Sequence, residues 1–212
     1  MAKEVLLGIS VEGQTEAYFA KYVLARYLKN YNIRLADPII LGGNVNLPRL
    51  ESVLHLMSGD YDYVTTLYDF YGFEGKQEFE TKDSLCRRIK NEGVLRHCDN
   101  LIPYIQMYEF EALLFSDLEI LCKYMDDDPA VVQKYVELFK HNLKGQKPEQ
   151  VNNSILTAPS KRIHSIFRRY RKSLYGYVIA QEIGVVKIRE MCPNFDRWIE
   201  KLVSLGENDN KN

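Results

Sequence analysis

Apolar and polar positions follow two different spacings along the chain, and the spacings alternate in blocks. Val5–Val11 is a nearly continuous apolar run that stops at a Glu-Gly turn. Apolar residues then recur every three or four positions over 15–29, with Tyr18, Phe19 and Tyr22 on one face. A short apolar run predicts a buried strand, and the second spacing predicts an amphipathic helix. The chain therefore opens with a strand, a tight turn and a helix.

The same alternation continues up to residue 117. The predicted segments are strands over 33–41, 61–68 and 101–107 and helices over 47–57 and 81–92. Pro38 interrupts the first of these strands, which is typical of an edge or bulged strand. Because strands and helices alternate, we expect parallel strands joined by right-handed crossovers. The predicted fold class is α/β, with a mainly parallel four-stranded sheet flanked by helices.

The strand pattern is absent after residue 117, and only helical spacing remains. One of the predicted helices begins with Ser160 as its N-cap and continues through Lys172. Polar residues at the C-terminus predict a frayed end. We therefore expect an α/β core over 1–117, an all-helical extension over 118–206 and a frayed tail over 207–212.

Composition narrows the class of protein. The net charge of −1 over 212 residues excludes a polybasic chain, but an uneven distribution of charge still permits nucleic-acid binding. The four cysteines form no CxxC pair, so we expect reduced thiols rather than a zinc site. We expect no signal peptide, because the N-terminal residues lead directly into a predicted strand. We expect no membrane span, because no apolar run approaches about 20 residues. These features predict a cytoplasmic globular protein.

Acidic residues follow the predicted strands at the points where the strands end. Glu12 follows the first strand, Asp69 the third, and Glu109, Glu111 and Asp117 the fourth. The C-terminal ends of parallel strands share one edge of a sheet, where ligands bind in α/β folds. Carboxylates at such an edge are suited to Mg²⁺ or Mn²⁺, which activates water and stabilises phosphoryl charge. The alternative is that each acid caps a helix or faces solvent.

Glu109 and Glu111 depend on the local backbone. In an extended segment both side chains point to one face. In a helix they lie about 200° apart, so that only one reaches the site. We expect Glu109, which is nearer the strand end, to be the stronger metal ligand, and Glu111 to cap a helix or pair with a base.

Basic residues form a second group between 161 and 172. Positive side chains of this kind bind phosphates, and Ser160 with Lys161 and Arg162 at a helix N-terminus predicts an anion site. The alternative is a solvated helix face, because the charges spread around the helix. The group consists of Lys161, Arg162, Arg168, Arg169, Arg171 and Lys172.

Several motifs resemble a known superfamily. Val11-Glu12-Gly13-Gln14-Thr15-Glu16 resembles the first motif of Toprim proteins, a strand that ends in Glu-Gly. Tyr68-Asp69-Phe70-Tyr71-Gly72 stands where those proteins carry Asp-x-Asp. The stretches over 108–115, 157–163 and 192–198 resemble a bacterial Toprim-like family that is often encoded beside an ABC/SMC-type ATPase. The resemblance covers nearly the whole chain.

This resemblance implies a role for each matching residue. Glu12 would be the general acid/base or the first metal ligand, and Asp69 the main metal ligand. The second acid of Asp-x-Asp is Tyr71 here, so a two-metal site would require Glu109 or Glu111 as a substitute. Phosphate or nucleic-acid binding would fall to Lys161, Arg162 and Lys172. The supporting residues would be Glu16, Tyr71 and Asp117.

Two functional hypotheses follow. The first is a Mg²⁺-dependent (or Mn²⁺-dependent) nuclease of Toprim type, the effector subunit of an ATPase-linked phage-defence system. The second is a catalytically degenerate binding or regulatory subunit of an ATPase complex, for which Tyr71 and the slightly acidic balance argue. A phosphatase or ligase acting on nucleotides also stays open at this point.

Overall fold

The computed structural model describes residues 3–151 and 157–208. Six strands form one sheet in these ranges, and every pairing is parallel, as predicted. The strands are β1 (Val5–Val11), β2 (Ile33–Leu35), β3 (Ile39–Ile40), β4 (Tyr63–Asp69), β5 (Leu101–Ile102) and β6 (Ile105–Gln106). Their order is β2-β1-β4-β5, with β3 also beside β1 and β6 also beside β4.

Two of the four predicted strands are each split in two. The second predicted strand breaks into β2 and β3 before Ile39, around Pro38, and the fourth breaks into β5 and β6 at Pro103. Proline has no N–H to donate to a sheet, so it is confined to edges and irregular positions. Both breaks lie on the outer strands, and β1 and β4 form the uninterrupted centre.

Helices cover both faces of the sheet. The α-helices are α1 (Gln14–Phe19), α2 (Ala25–Lys29), α3 (Leu47–Asp60), α4 (Lys82–Asn91), α5 (Leu118–Lys123), α6 (Pro129–Leu143), α7 (Pro159–Ile166), α8 (Lys172–Ile183), α9 (Val185–Met191) and α10 (Pro193–Asn208). A π-helical turn over Ala20–Leu24 joins α1 to α2. Together these three segments form the predicted first helix. Shorter 3₁₀ segments cover Gly93–His97, Phe110–Ser116 and Pro148–Gln150.

Helix ends were predicted less accurately than helix positions. α3 continues through Gly59 to Asp60, where the sequence predicted a stop. A glycine inside a helix costs only about 1 kcal/mol, and the buried residues Leu50, Leu54 and Met57 hold α3 on the sheet. α10 continues to Asn208, so residues 207 and 208, predicted to be frayed, are helical. Residues 209–212 lie outside the described ranges.

The predicted helix from Ser160 to Lys172 is two helices. Ala158 is the N-cap of α7, and Pro159 occupies the first turn, so Ser160 lies inside the helix rather than capping it. α7 ends at Ile166, and α8 begins at Lys172. Tyr170, between them, is buried in the hydrophobic core. The break decides where the Lys172 side chain lies.

Two hydrophobic clusters lie on opposite faces of the sheet. One contains the apolar residues of β1 together with α1, α2 and the C-terminal helices. The other packs β4 residues Val64 and Tyr68 against α3 and α4. The C-terminal helices therefore share a core with the first helix, and the boundary predicted at residue 117 marks a change of element type within one packed structure.

Candidate functional site

The carboxyl ends of β1 and β4 bring Glu12 and Asp69 together. Val11 pairs with Leu67 across the two parallel strands, so both strands end at the same edge. The Asp69 backbone N–H donates to Glu12 Oε2 over 3.1 Å. The two residues that the strand pattern singled out are thus neighbours.

Lys172 lies among three further carboxylate oxygens at this edge. Its Nζ is 3.0 Å from Glu16 Oε1, 3.4 Å from Asp69 Oδ2 and 3.4 Å from Glu111 Oε2. The three acids come from α1, β4 and the 3₁₀ segment after β6, and the lysine is the first residue of α8. We call Glu12, Glu16, Asp69, Glu111 and Lys172 the acid–lysine cluster.

Burial sets the electrostatics of this cluster. The side chains of Glu16, Asp69 and Glu111 are 3%, 9% and 1% exposed, whereas that of Lys172 is 37% exposed. The cluster is therefore closed on the acid side and reaches solvent through the lysine. Four carboxyl groups share one ammonium group, so they can ionise together only at a considerable cost in free energy.

The carboxyl pKa values reflect this excess of negative charge. Burial raises the pKa of Asp69 well above its ordinary value, which Lys172 opposes and Glu16 and Glu12 reinforce. Burial likewise raises the pKa of Glu111, and Lys172 again opposes the rise. For Glu12, burial raises the pKa, while the hydrogen bond from the Asp69 N–H lowers it. The site favours either bound protons or a further positive charge.

The Lys172 pKa moves in the direction that keeps the side chain charged. Burial by itself would lower this pKa, but the carboxylates of Asp69, Glu111 and Glu16 raise it well above the ordinary value. Lys172 is therefore a charged member of the site. It was predicted to bind phosphate, and its ammonium group lies among carboxylates.

Some polar atoms of the site have no hydrogen-bond partner among the described residues. They include Asp69 Oδ1, Glu111 Oε1 and the hydroxyl of Tyr170, all buried. A buried oxygen without a partner costs about 1–3 kcal/mol, so it usually marks a place for water, an ion or a ligand. The two carboxylate oxygens are of the type that Mg²⁺ or Mn²⁺ binds.

The donor chemistry fits a hard divalent cation, but the side chains do not form a ready-made coordination shell. Within residues 3–151 and 157–208, no three acids, histidines or cysteines are grouped closely enough to hold a metal ion. The ammonium group of Lys172 lies between the carboxylates instead. A cation that used Asp69 and Glu111 would have to share the site with Lys172 or displace it.

Glu111 pairs with a base, one of the two roles predicted for it, whereas Glu109 contacts the first turn of α7. Glu109 is extended, and a 3₁₀ segment begins at Phe110. The Glu109 carboxylate accepts hydrogen bonds from the Ser160 N–H at 2.9 Å and from its Oγ at 3.2 Å. Glu111 is the residue that contacts Lys172. Tyr108, before them, has a φ of 70°, a strained conformation of the kind that clusters at functional sites.

Tyr71 and Gly72 border the site in different ways. The Tyr71 ring packs against that of Tyr108, with 5.3 Å between the centroids. Burial raises the pKa of Tyr71, and Tyr108 and Glu109 add to the rise. Gly72 lies against Glu12, because a Cβ at this position would come within 2.6 Å of Glu12 Oε1. The glycine is therefore required by the close approach of a site residue.

Three other predicted site residues make contacts outside the cluster. Asp117, expected as a supporting group, caps α5 by accepting from the Ile120 N–H at 3.0 Å. Arg162, expected to bind phosphate, donates to the carbonyl oxygens of Thr157 and Asn142 at 2.8 and 2.7 Å. Lys161 is exposed on α7. The cap formed by Asp117 and the two carbonyl contacts of Arg162 are structural roles.

Two residues have a larger part in the site than the sequence analysis predicted. Glu16 was expected only to support it, yet it makes the shortest contact with Lys172. Its place in the first turn of the helix that follows Glu12 was the available signal. Tyr170 was not singled out at all. A cavity of about 640 Å³ next to it is lined by Arg168, Arg169, Tyr170, Arg171, Leu174 and Tyr175.

Comparison with known proteins gives one match. A family model described as a domain of unknown function, DUF4276, matches residues 11–203. No curated protein and no solved structure matches the chain.

Proposed function

The chain belongs to the DUF4276 family, and we propose that it is a nuclease that hydrolyses phosphodiesters of nucleic acid with the help of Mg²⁺ or Mn²⁺. One observation carries the proposal: carboxylates from three separate elements converge on Lys172 at the carboxyl edge of a parallel sheet. Two of them keep a buried oxygen without a hydrogen-bond partner among the described residues, Asp69 Oδ1 and Glu111 Oε1.

Each residue has a role in this proposal. Asp69 and Glu111 would hold the cation, which when bound lowers the pKa of water and polarises a phosphoryl oxygen. Glu12 is half-buried with a raised pKa, a property suited to moving a proton to or from the reacting oxygen. Lys172 is positively charged and partly accessible, so it can offset charge on the scissile phosphate.

The arginines near Tyr170 would position the substrate. Arg168, Arg169 and Arg171 are exposed and line a cavity of about 640 Å³, together with Tyr170. Contacts from arginine to backbone phosphates fix the register of a strand without reading its sequence. Through this surface a phosphodiester would reach the accessible side of Lys172, two residues after Tyr170 in the chain.

The proposal extends to cellular context. An ABC/SMC-type ATPase as partner and a role in phage defence rest on the sequence resemblance alone. A cytoplasmic location agrees with four free cysteines, since reduced thiols are the rule there. No helix in the described ranges combines the length and apolar character needed to cross a bilayer.

The test is cleavage of labelled single- and double-stranded DNA and RNA with Mg²⁺ or Mn²⁺. Asp69→Asn and Glu111→Gln are expected to abolish cleavage while circular dichroism stays unchanged. Asp117→Asn is the matched control, because Asp117 caps α5 outside the cluster, and it should retain full activity. Equal cleavage by all three variants would reject the proposal.

A second candidate function is a binding or regulatory subunit without catalysis. Lys172 lies where a cation would otherwise bind, and Tyr71 replaces the second acid of the Toprim motif. A titration with Mn²⁺ that is monitored by calorimetry separates the two functions. Binding that is lost in Asp69→Asn favours the nuclease, whereas no binding and no cleavage favour the regulatory subunit.

A further inference from the structure

A basic groove lies between α4 and α10, along the outer strand of the sheet. Two adjoining cavities, of about 270 and 280 Å³, share Cys86, Arg87, Ile102, Pro103 and Lys201 in their walls. The groove follows the break between β5 and β6. None of its lining residues belongs to the acid–lysine cluster.

The two helices present positive charge to the same groove. From α4 come Lys82, Arg87 and Lys90, and from α10 come Arg197 and Lys201. Lys82 and Lys90 are about two turns apart on α4, and Arg197 and Lys201 are about one turn apart on α10, so each pair lies along one helix face. This regular placement makes the groove a continuous positive surface.

Little negative charge balances these side chains. Asp83 is the acid that lines the groove, and it already pairs with Lys82 at 3.2 Å. The buried Glu149, which accepts from the groove residue Asn194, also interacts electrostatically with Lys82. Within the described ranges, no carboxylate forms an ion pair with Arg87, Lys90 or Lys201. A cleft lined by one sign of charge focuses the field and concentrates counter-ions. The expected occupant is an anion.

The spacing of the cations favours a chain of phosphates over a single phosphate. From Lys82 to Lys90 the α4 axis rises about 12 Å, which is longer than a single phosphate group. Cavities of less than 300 Å³ between two helices are too small for a duplex. The positive charges run along the groove instead of converging on one point.

The aromatic residues of the groove make no platform for bases. Tyr104 and Trp198 are each 3% exposed and stack on one another with 4.3 Å between ring centroids. Trp198 also donates to Thr65 Oγ1 at 2.8 Å, which fixes the indole inside the protein. Recognition in this groove would therefore use the phosphate backbone and not the bases.

We infer that the α4–α10 groove binds the phosphate backbone of single-stranded nucleic acid, at a second site separate from the acid–lysine cluster. The identity of this anion as nucleic acid rests on the proposed function. Since backbone contacts carry no sequence information, the groove would hold a strand of any sequence while another part of it is cleaved.

The first test measures binding without cleavage. Anisotropy of a fluorescein-labelled oligodeoxythymidine is recorded in EDTA over a series of salt concentrations. The double variant Arg87→Gln/Lys201→Gln is compared with Lys29→Gln/Lys134→Gln, which removes the same charge from exposed positions on α2 and α6. The groove variant should lose about tenfold in affinity, and its salt slope should fall by about 1.4.

The second test uses Cys86 as a reporter. Cys86 is half-buried in the groove, whereas Cys98, Cys122 and Cys192 are buried. Bound oligonucleotide should slow the reaction of this thiol with a maleimide several-fold in the wild-type protein and not in the groove variant. Cys86→Ser gives the background rate.

The outcomes separate this inference from the proposed function. Equal binding by the groove and control variants, or no oligonucleotide binding by the wild type, would overturn the inference. Displacement of the oligonucleotide by AMP at an equal phosphate concentration would also overturn it, in favour of a small phosphate ester. Binding lost only in the groove variant supports the inference even if no cleavage is found. If the groove variant binds and cleaves as the wild type does, the inference is overturned and the proposed nuclease function is unaffected.

Discussion

Lys172, the first residue of α8, donates a 3.4 Å hydrogen bond to Asp69, the last residue of β4, across 103 positions of sequence. This bond connects the C-terminal helices to the catalytic edge proposed for the sheet. It also places a positive charge where buried carboxyl groups would otherwise repel one another. The first two predictions concern the two ends of this bond.

Asp69→Asn is expected to stabilise the fold at pH 8. Burial raises the pKa of Asp69 above the ordinary 3.8, so the folded state binds the proton more tightly than the unfolded state does. The stability that this tighter proton binding contributes is fully present below the pKa of the unfolded state. It is lost as the pH rises through the pKa of the folded state. Asparagine carries no charge to bury, so we expect a gain of about 1–3 kcal/mol at pH 8. Urea unfolding should show the gain shrinking towards pH 4.

Asp62→Asn provides a control of opposite sign. Hydrogen bonds from the Lys3 ammonium group and from the Leu6 N–H lower the pKa of Asp62, so its ionised form favours the folded state. That contribution is present above the unfolded pKa and is lost in acid. The Asp62 variant should therefore be less stable than the wild type at pH 8. Stabilisation by both substitutions would refute the burial argument for Asp69.

Lys172→Met should destabilise the protein more at pH 8 than at pH 5. Removing the ammonium group leaves the carboxylates of Glu16, Asp69 and Glu111 without their counter-charge. Because the lysine is partly exposed, we expect a loss of about 1–3 kcal/mol at pH 8, below the usual cost of breaking a fully buried pair. At pH 5 the acids with raised pKa values take up protons, and the repulsion falls.

Divalent cations should restore part of the stability lost in Lys172→Met. If the carboxylates can hold Mg²⁺, melting curves should shift upward with Mg²⁺ more in this variant than in the wild type. Lys187→Met is the matched control, because Lys187 pairs with Glu190 on the surface. Its stability should change little and should not respond to Mg²⁺. Equal Mg²⁺ shifts in both variants would argue against a cation site in the cluster.

Gly72→Ala should disrupt the site through Glu12. The new methyl group would come within 2.6 Å of Glu12 Oε1, so the carboxylate must move away from the Asp69 N–H. We expect a loss of about 1–3 kcal/mol in stability and a larger proportional loss of cleavage. Gly59→Ala is the control, because nothing lies within 4 Å of a Cβ there and α3 continues through it. That variant should gain about 0.5–1 kcal/mol.

The strand pattern was enough to predict that Glu12 and Asp69 would be neighbours, because ends of adjacent parallel strands meet at one edge. The position of Lys172 was not predictable in the same way. It depends on the break between α7 and α8, which the local helical pattern did not predict. Which of Glu109 and Glu111 contacts Lys172 depends on where one 3₁₀ turn begins. Local patterns fix such turns poorly, since tertiary packing decides them.

Ser160→Ala should weaken the contact that joins Glu109 to α7. Its Oγ donates to Glu109 Oε1 at 3.2 Å, while the Ser160 N–H, at 2.9 Å from Oε2, remains in the variant. Loss of one hydrogen bond to a carboxylate should cost about 1 kcal/mol, and Glu109→Gln should cost a similar amount. In the double variant the two losses should not add, because both act on one contact. Ser165→Ala, which loses only a bond to the Arg162 carbonyl, is the control on the same helix. Additive losses in urea unfolding would show that the Oγ contact contributes nothing, and Glu109 would then be held by the backbone of α7 alone.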